Sequence, residues 1–268
     1  MTELDQHGLG LGTWQNTDPD ECADSIATAL DIGYRHVDTA QGYDNEAAVG
    51  RGIAESSVPR EEVFLATKVD TDSLAAEDVV ASTEESLEKL GTDYVDLLYV
   101  HWPTDTYEAR DTLPAFQRLS DEGKIRHVGV SNFEPRHLDE AREILDAPIF
   151  ANQVELHPYV QQRELREYAR DHDHHVVAYS PLAQGRLFDD DVLTDIAEKH
   201  DATVPQVALA WILDLDAVAA IPKSSTESHI RDNWRAYDVE LDKADRDRIA
   251  ELDCGDRVID HEGAPWDT

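Results

Sequence analysis

Eight short apolar runs, each followed by a stretch with helical periodicity, restrict the fold of this chain more than any other feature. They are Gly8 to Trp14, Tyr34 to Asp38, Val63 to Lys68, Tyr94 to His101, Ile125 to Ser131, Ile149 to Val154, His175 to Tyr179 and Ala217 to Ile221. The segments between them repeat apolar residues three and four apart, as in Ala23, Ile26, Ala27 and Leu30, or Leu138, Ala141, Ile144 and Leu145. Alternation of strand and helix predicts a parallel sheet, and eight units are the number that closes a barrel. The chain has 268 residues, close to the roughly 250 of a (β/α)8 barrel. A doubly wound open sheet is the rival. The unit count and the length favour one barrel domain over residues 1–268. A segment near Asp245 to Leu252 reads as an extra helix after the eighth unit, and an irregular tail follows from Asp253.

Charge sets the surroundings. Lysine and arginine number 23 against 58 aspartate and glutamate, a formal net charge of −35. Such a surface repels nucleic acid and anionic lipid, so neither is an expected partner. The acids are spread along the whole sequence around an intact apolar pattern, which argues against disorder. A chain this acidic fits concentrated salt, where repulsion is screened within ~3 Å at 1 M. The expectation is a cytoplasmic protein of a salt-accumulating cell, and full activity at low ionic strength would count against it. The two cysteines, Cys22 and Cys254, imply no disulfide framework. Neither a signal peptide nor a membrane-spanning apolar run is read in the sequence.

Three of the apolar runs end on a titratable residue: Asp38, Lys68 and His101. Tyr43 stands five residues past Asp38, in the loop that follows. Ends of successive strands are neighbours at the C-terminal rim of a barrel. A buried Lys68 would pair with Asp38, because an unpaired buried charge is very costly. A cation beside a phenol stabilises the phenolate and lowers the Tyr43 pKa from ~10. His101 could orient a substrate oxygen or share in proton relay. Together these residues could polarise and protonate a carbonyl oxygen. With no nucleophile and no metal-type cluster, the missing reactant should come from a cofactor. Taken singly, Asp38 with Lys68 could be a structural pair and His101 a satisfied rim residue. Four such residues on adjacent strand ends favour chemistry.

These residues resemble those of a known family. Asp38-Thr39-Ala40-Gln41-Gly42-Tyr43, Lys68 after an apolar strand and Val100-His101-Trp102-Pro103 match the aldo-keto reductases. The likeness extends to Gly10-Leu11-Gly12-Thr13-Trp14, Gly129-Val130-Ser131-Asn132-Phe133, Asn152-Gln153-Val154-Glu155-Leu156-His157-Pro158, Tyr179-Ser180-Pro181-Leu182 and Ile221-Pro222-Lys223-Ser224. A close echo is the prokaryotic branch that acts on small carbonyls and includes the 2,5-diketo-gluconate reductases. The resemblance implies a (β/α)8 TIM barrel binding NADPH across its C-terminal rim and reducing a small aldehyde, ketone or sugar carbonyl. Tyr43 matches the family's proton donor, Lys68 and Asp38 its tuning pair, and His101 its substrate-orienting histidine. Thr13, Ser131, Asn132 and Gln153 match cofactor contacts, the last three to the nicotinamide carboxamide. Tyr179 matches the aromatic that stacks on the nicotinamide ring. Ser180, Leu182, Gln184 and Gly185 match the pyrophosphate loop, and Lys223 and Ser224 the pocket for the adenosine 2′-phosphate. Trp14 and Trp102 would line the substrate pocket beside His101.

The sequence departs from the family in three places. His229 stands where an arginine usually completes the 2′-phosphate pocket, so NADH becomes an alternative to NADPH; Asp232, beside Asn233, takes the place of the acid at the adenine amino group. Few residues precede Gly8, so the family's N-terminal hairpin should be shortened or absent. The short tail implies a more open substrate pocket. Gly8-Leu9-Gly10-Leu11-Gly12 is not G-x-G-x-x-G and marks no dinucleotide fingerprint. His172, His174 and His175 read as a polar helix-to-strand turn, so no metal site is expected. Two other functions compete with reduction: a non-catalytic cofactor-sensing subunit on the same scaffold, and a dehydrogenase running toward oxidation. Substrate identity and oligomeric state are open, a monomer being compatible with the sequence.

Overall fold

The computed structural model describes residues 4, 8–260 and 263–267. Its eight strands are β1 (Gly10–Gly12), β2 (His36–Asp38), β3 (Phe64–Val69), β4 (Val95–Val100), β5 (Ile125–Ser131), β6 (Ile149–Glu155), β7 (His175–Tyr179) and β8 (Val218–Ala220). They pair in parallel in chain order. Parallel bridges from Leu9 to Ala220 and from Gly12 to Lys223 bring β1 back against β8 and close the barrel. The expected (β/α)8 architecture is therefore present. β1, β2, β4 and β8 are shorter than the apolar runs that announced them, β5 and β7 coincide with theirs, β3 is shifted by one residue and β6 runs on to Glu155; Tyr34 and His101 flank β2 and β4 rather than belonging to them.

Helices cover the outside: α1 (Pro19–Ile32), α2 (Glu46–Glu55), α3 (Ala76–Leu90), α4 (Ala109–Asp121), α5 (Pro135–Ile144), α6 (Arg163–Asp171), α7 (Asp191–Lys199), α8 (Val204–Leu213), α9 (Glu227–Trp234) and α10 (Lys243–Ala250). The first illustrates how sequence sets their limits. Asp18 accepts the Asp20 and Glu21 backbone N–H groups, Pro19 starts the helix with its φ already set, and Gly33 ends it at φ 138°. Its buried face, with Ile26, Ala29 and Leu30, packs on the barrel, and Ile26 and Leu30 each contribute about 1.5–3 kcal/mol by full burial.

Two helices, α7 and α8, lie between β7 and β8 where one was expected. Each has its own start signal: Asp190 accepts from Leu193 N–H, and Thr203 forms a reciprocal capping box with Gln206. The extra helix is α10, two residues earlier than expected because Asp242 caps it. The expected loss of the N-terminal hairpin concerns residues 1–7, which apart from Leu4 lie outside the described residues. Inside the barrel, Leu4, Phe64, Ala66, Leu97, Tyr99, Ala151, Val177, Ala219 and Ile221 form a separate apolar cluster beneath the rim. Gly129 admits the Tyr99 ring there: a Cβ on residue 129 would lie 2.6 Å from Tyr99 Cδ1.

Candidate active site

A cavity of about 790 Å³ opens at the C-terminal ends of the strands. Thr13 and Trp14 enter it from the end of β1, Asp38 and Tyr43 from β2 and its loop, His101 and Trp102 from β4, and Ser131 and Asn132 from β5. Gln153 comes from β6, Tyr179, Ser180, Leu182, Gln184 and Gly185 from β7 and the loop after it, and Lys223 from beyond β8.

At its floor Lys68 is 1% exposed and Asp38 likewise 1%, so neither charge can be left to water. Lys68 Nζ donates to Asp38 Oδ1 at 2.5 Å and to the Thr39 carbonyl at 2.8 Å. The Asp38 Oδ2 oxygen accepts from Gln153 Nε2 at 2.7 Å. The ammonium also lies between two aromatic rings, 5.1 Å from the Tyr43 centroid and 5.8 Å from that of Tyr99, close enough for cation–π attraction to favour its charged form. Burial works most strongly against the Lys68 charge, but Asp38 and Tyr43 together more than offset it and hold the ammonium above its ordinary pKa. Burial lifts the Asp38 carboxyl, opposed by Lys68 and Gln153.

The Tyr43 phenol departs from the sequence expectation in sign. Burial raises its pKa, and the Lys68 charge only opposes that rise. Tyr43 therefore stays protonated at neutral pH, with a cation positioned to receive the negative charge if the proton leaves. His101 meets the Tyr43 ring edge-on at 5.9 Å between centroids. Burial and the nearby Lys68 charge push the imidazole down to about 3, so it is neutral. A neutral ring can hold a substrate oxygen by hydrogen bonding, but it is a poor proton source; of the two roles read from sequence, orientation is the one its electrostatics favour. Its buried Nδ1 has no partner among the described residues.

The amides beside them form one network. Asn132, held at φ 61°, donates to the His101 carbonyl at 3.2 Å and to Ser131 Oγ at 3.0 Å, and accepts from the Tyr179 hydroxyl at 2.9 Å. Ser131 Oγ donates to the Gln153 carbonyl. Thr13 Oγ1 donates to the Asp38 carbonyl, tying β1 to β2. After β7 the backbone turns through left-handed conformations at Ser180, Ala183, Gln184 and Gly185, the last at φ 91°. That curl keeps the loop short and wraps it around the cavity edge, where Phe188 is 48% exposed.

The cavity has one lysine on its rim with an unusual property. Lys89, Lys124, Lys199 and Lys243 all meet carboxylates on the surface, and Lys68 meets Asp38. Among the described residues Lys223 has no carboxylate partner, although acids outnumber bases by more than two to one. Ser224 beside it is buried. His229, Asp232 and Asn233 lie on α9, outside the cavity lining. His229 is exposed, Asn233 is buried, and both Asp232 carboxylate oxygens already accept bonds, from Gln206 and Thr203.

Asp38, Tyr43, His101, Ser131, Asn132, Gln153, Trp14 and Trp102 line the cavity and Lys68 lies beneath it; Asp70, Phe188 and Ile259, which also line it, were not singled out in the sequence. Gly42-Tyr43 and the strand-end pattern could have flagged Asp70, one residue past β3; nothing in the sequence marks Ile259.

The model of the aldo/keto reductase family matches residues 8–253. Methylglyoxal reductase DkgB of Escherichia coli O157:H7 is 43% identical over 264 residues, covering 97% of this chain and 98% of its own. A solved structure provisionally described as 2,5-diketo-D-gluconic acid reductase B superimposes with a TM-score of 0.93 at 38% identity, covering 97% of this chain and 92% of that one. The Bombyx mori aldo-keto reductase in complex with NADP gives 0.87 at 32% identity, covering 94% and 91%.

Proposed function

This chain belongs to the aldo/keto reductase family, and we propose that it reduces a small aldehyde, ketone or sugar carbonyl with NADPH, Tyr43 protonating the carbonyl oxygen. The observation that carries the reading is the buried Lys68–Asp38 pair set under a protonated phenol, beside a neutral histidine, at the floor of an open cavity. Folding alone gives no reason to place a fully buried ion pair there, since its desolvation costs several kcal/mol per ion.

The cavity fits the dinucleotide. Lys223, the lysine lacking a carboxylate partner among the described residues, suits a 2′-phosphate, with Ser224 beside it. The curled loop of Ser180, Leu182, Gln184 and Gly185 suits the pyrophosphate, and Thr13, Ser131, Asn132 and Tyr179 the nicotinamide end. Bound there, the nucleotide supplies hydride to the carbonyl carbon. His101 holds the carbonyl oxygen toward Tyr43. The phenol gives up its proton as charge develops on that oxygen, and Lys68 stabilises the phenolate left behind while Asp38 and Gln153 keep the ammonium fixed. In the oxidative direction the Tyr43 phenolate, stabilised by Lys68, takes the proton back. Trp14 and Trp102 flank the opening. The E. coli relative is named for methylglyoxal, which supports a small carbonyl as substrate.

Among the described residues no helix is long and apolar enough to cross a membrane. Replacing Tyr43 with Phe tests the assignment. It should abolish aldehyde-dependent NADPH oxidation in molar KCl while NADPH still quenches tryptophan fluorescence. Wild-type protein that binds NADPH but turns over no carbonyl would point instead to a cofactor sensor.

A further inference from the structure

Glu155 is fully buried at the end of β6, yet among the described residues no lysine or arginine forms an ion pair with it; three N–H groups reach it instead. His157 accepts the Tyr159 backbone N–H on Nδ1, so its proton sits on Nε2, which donates to Glu155 Oε1 at 2.9 Å. The other two donors come from the far end of the chain. Val258 N–H reaches Oε1 at 2.6 Å and Ile259 N–H reaches Oε2 at 3.0 Å. Hydrogen bonds to a buried carboxylate are roughly twice as strong as neutral ones.

From these bonds we infer that Glu155 is a latch that fixes the C-terminal segment as one wall of the substrate cavity, and so is a positioning residue for substrate size. Ile259 is both a latched residue and a cavity-lining one. Arg257, immediately before the latched pair, covers the Trp266 ring with its guanidinium carbon 3.8 Å from the centroid. Trp266 in turn packs against Trp102, another lining residue, at 5.8 Å. These contacts join the latched residues to Trp102 across the cavity. Other fastenings hold the segment on either side: Cys254 and Gly255 N–H groups donate to the Tyr159 carbonyl at 3.1 and 2.8 Å, and Arg136 donates to the Pro265 carbonyl at 3.0 Å, whereas residues 258 and 259 are held by Glu155. Arg186 meets Asp256 at 3.3 Å on the surface, and exposed pairs of that kind contribute about 0–1 kcal/mol.

The inference rests on the reductase reading for its substrate arm alone. Glu155→Gln keeps the shape but turns an amide NH₂ toward one of the donors, breaking part of the latch. Trypsin cuts after Arg257, at the very peptide whose N–H Glu155 holds. Loss of a charge-assisted bond should speed that cut about tenfold. The preference in kcat/KM for methylglyoxal over 4-nitrobenzaldehyde should fall about fivefold, the scale of a small change in pocket volume. NADPH quenching should be unchanged. An unaltered cleavage rate together with an unaltered preference overturns the latch. Should Glu155→Gln fail to fold, a chain ending at Asp256 with Glu155 intact must show the same loss of preference, and an unchanged preference there also overturns it. Wild-type protein inactive on both aldehydes would sink the reductase reading, while the cleavage rate would still decide the latch.

Discussion

Gln153 Nε2 lies 2.7 Å from Asp38 Oδ2, the carboxylate oxygen that Lys68 does not use. Family resemblance assigns this amide to the nicotinamide carboxamide, but its NH₂ group is committed to the floor of the site. Lys68 and Gln153 thus share one carboxylate, and the position of the ammonium under Tyr43 depends on both.

Gln153→Leu should therefore cost stability as well as turnover. It removes a donor from a buried charge without removing the charge, which costs about 1–3 kcal/mol or more. The urea midpoint should fall accordingly, with kcat lowered at least about tenfold as the Lys68 ammonium loses its fixed geometry. Gln153→Leu with wild-type stability would show that Lys68 alone satisfies Asp38.

His101 gives a pH signature whose sign is fixed by its depressed pKa. Unfolded, the imidazole takes up a proton near 6.5; folded, it resists until about 3. Between those values the unfolded chain binds more protons, so stability is complete above pH 6.5 and falls as the pH drops, by at most about 1.4 kcal/mol per unit. His174, pushed down to about 4 by burial and Arg142, adds a slope of the same sign. Subtracting the unfolding free energies of His101→Asn from those of wild type between pH 4 and 7 isolates the first. A difference that does not change with pH would mean that His101 titrates in the fold as it does in the unfolded chain, and a difference that grows as the pH falls would mean that the fold holds it charged.

Salt acts on this surface in two opposing ways. Helical pairs such as Glu85–Lys89, Arg118–Glu122, Glu227–Arg231 and Lys243–Asp247 weaken on screening, a loss of only about 0.3–0.5 kcal/mol each. Self-repulsion from a net charge of −35 weakens as well, and it is by far the larger effect. Raising KCl from 0.1 to 2 M should increase Tm, and an osmotically matched sugar should reproduce little of the rise. A Tm that falls with KCl would show that the pairs win.

The strand–helix count and the strand-end residues were legible because they are local: each is read within one run of the chain. What escaped was set by contacts between distant residues. Tyr99 reads as one more apolar strand position, and only the barrel's register brings its ring over Gly129 and under Lys68. Glu155 sits inside a recognised motif, but its partners lie 103 and 104 residues away in an irregular tail. The sign of the Tyr43 shift escaped for a related reason: a neighbouring cation is visible in sequence, whereas the depth of burial that outweighs it is not.

The proposed 2′-phosphate contacts differ in placement. Lys223 lines the cavity, and His229 stands exposed on α9. A 2′-phosphate carries charge that NADH lacks, so Lys223→Ala should weaken NADPH binding by about tenfold, the value of one charge-assisted contact, and leave NADH nearly unchanged. His229→Arg restores the family's guanidinium, which can grip a phosphate with two parallel bonds where neutral imidazole offers one; NADPH should bind several-fold more tightly. Fluorescence titration with both nucleotides at 2 M KCl, where long-range attraction is screened and only close contacts count, reads these differences directly. Equal weakening of NADPH and NADH by Lys223→Ala would remove the 2′-phosphate from that lysine and leave it a general contact of the cavity rim.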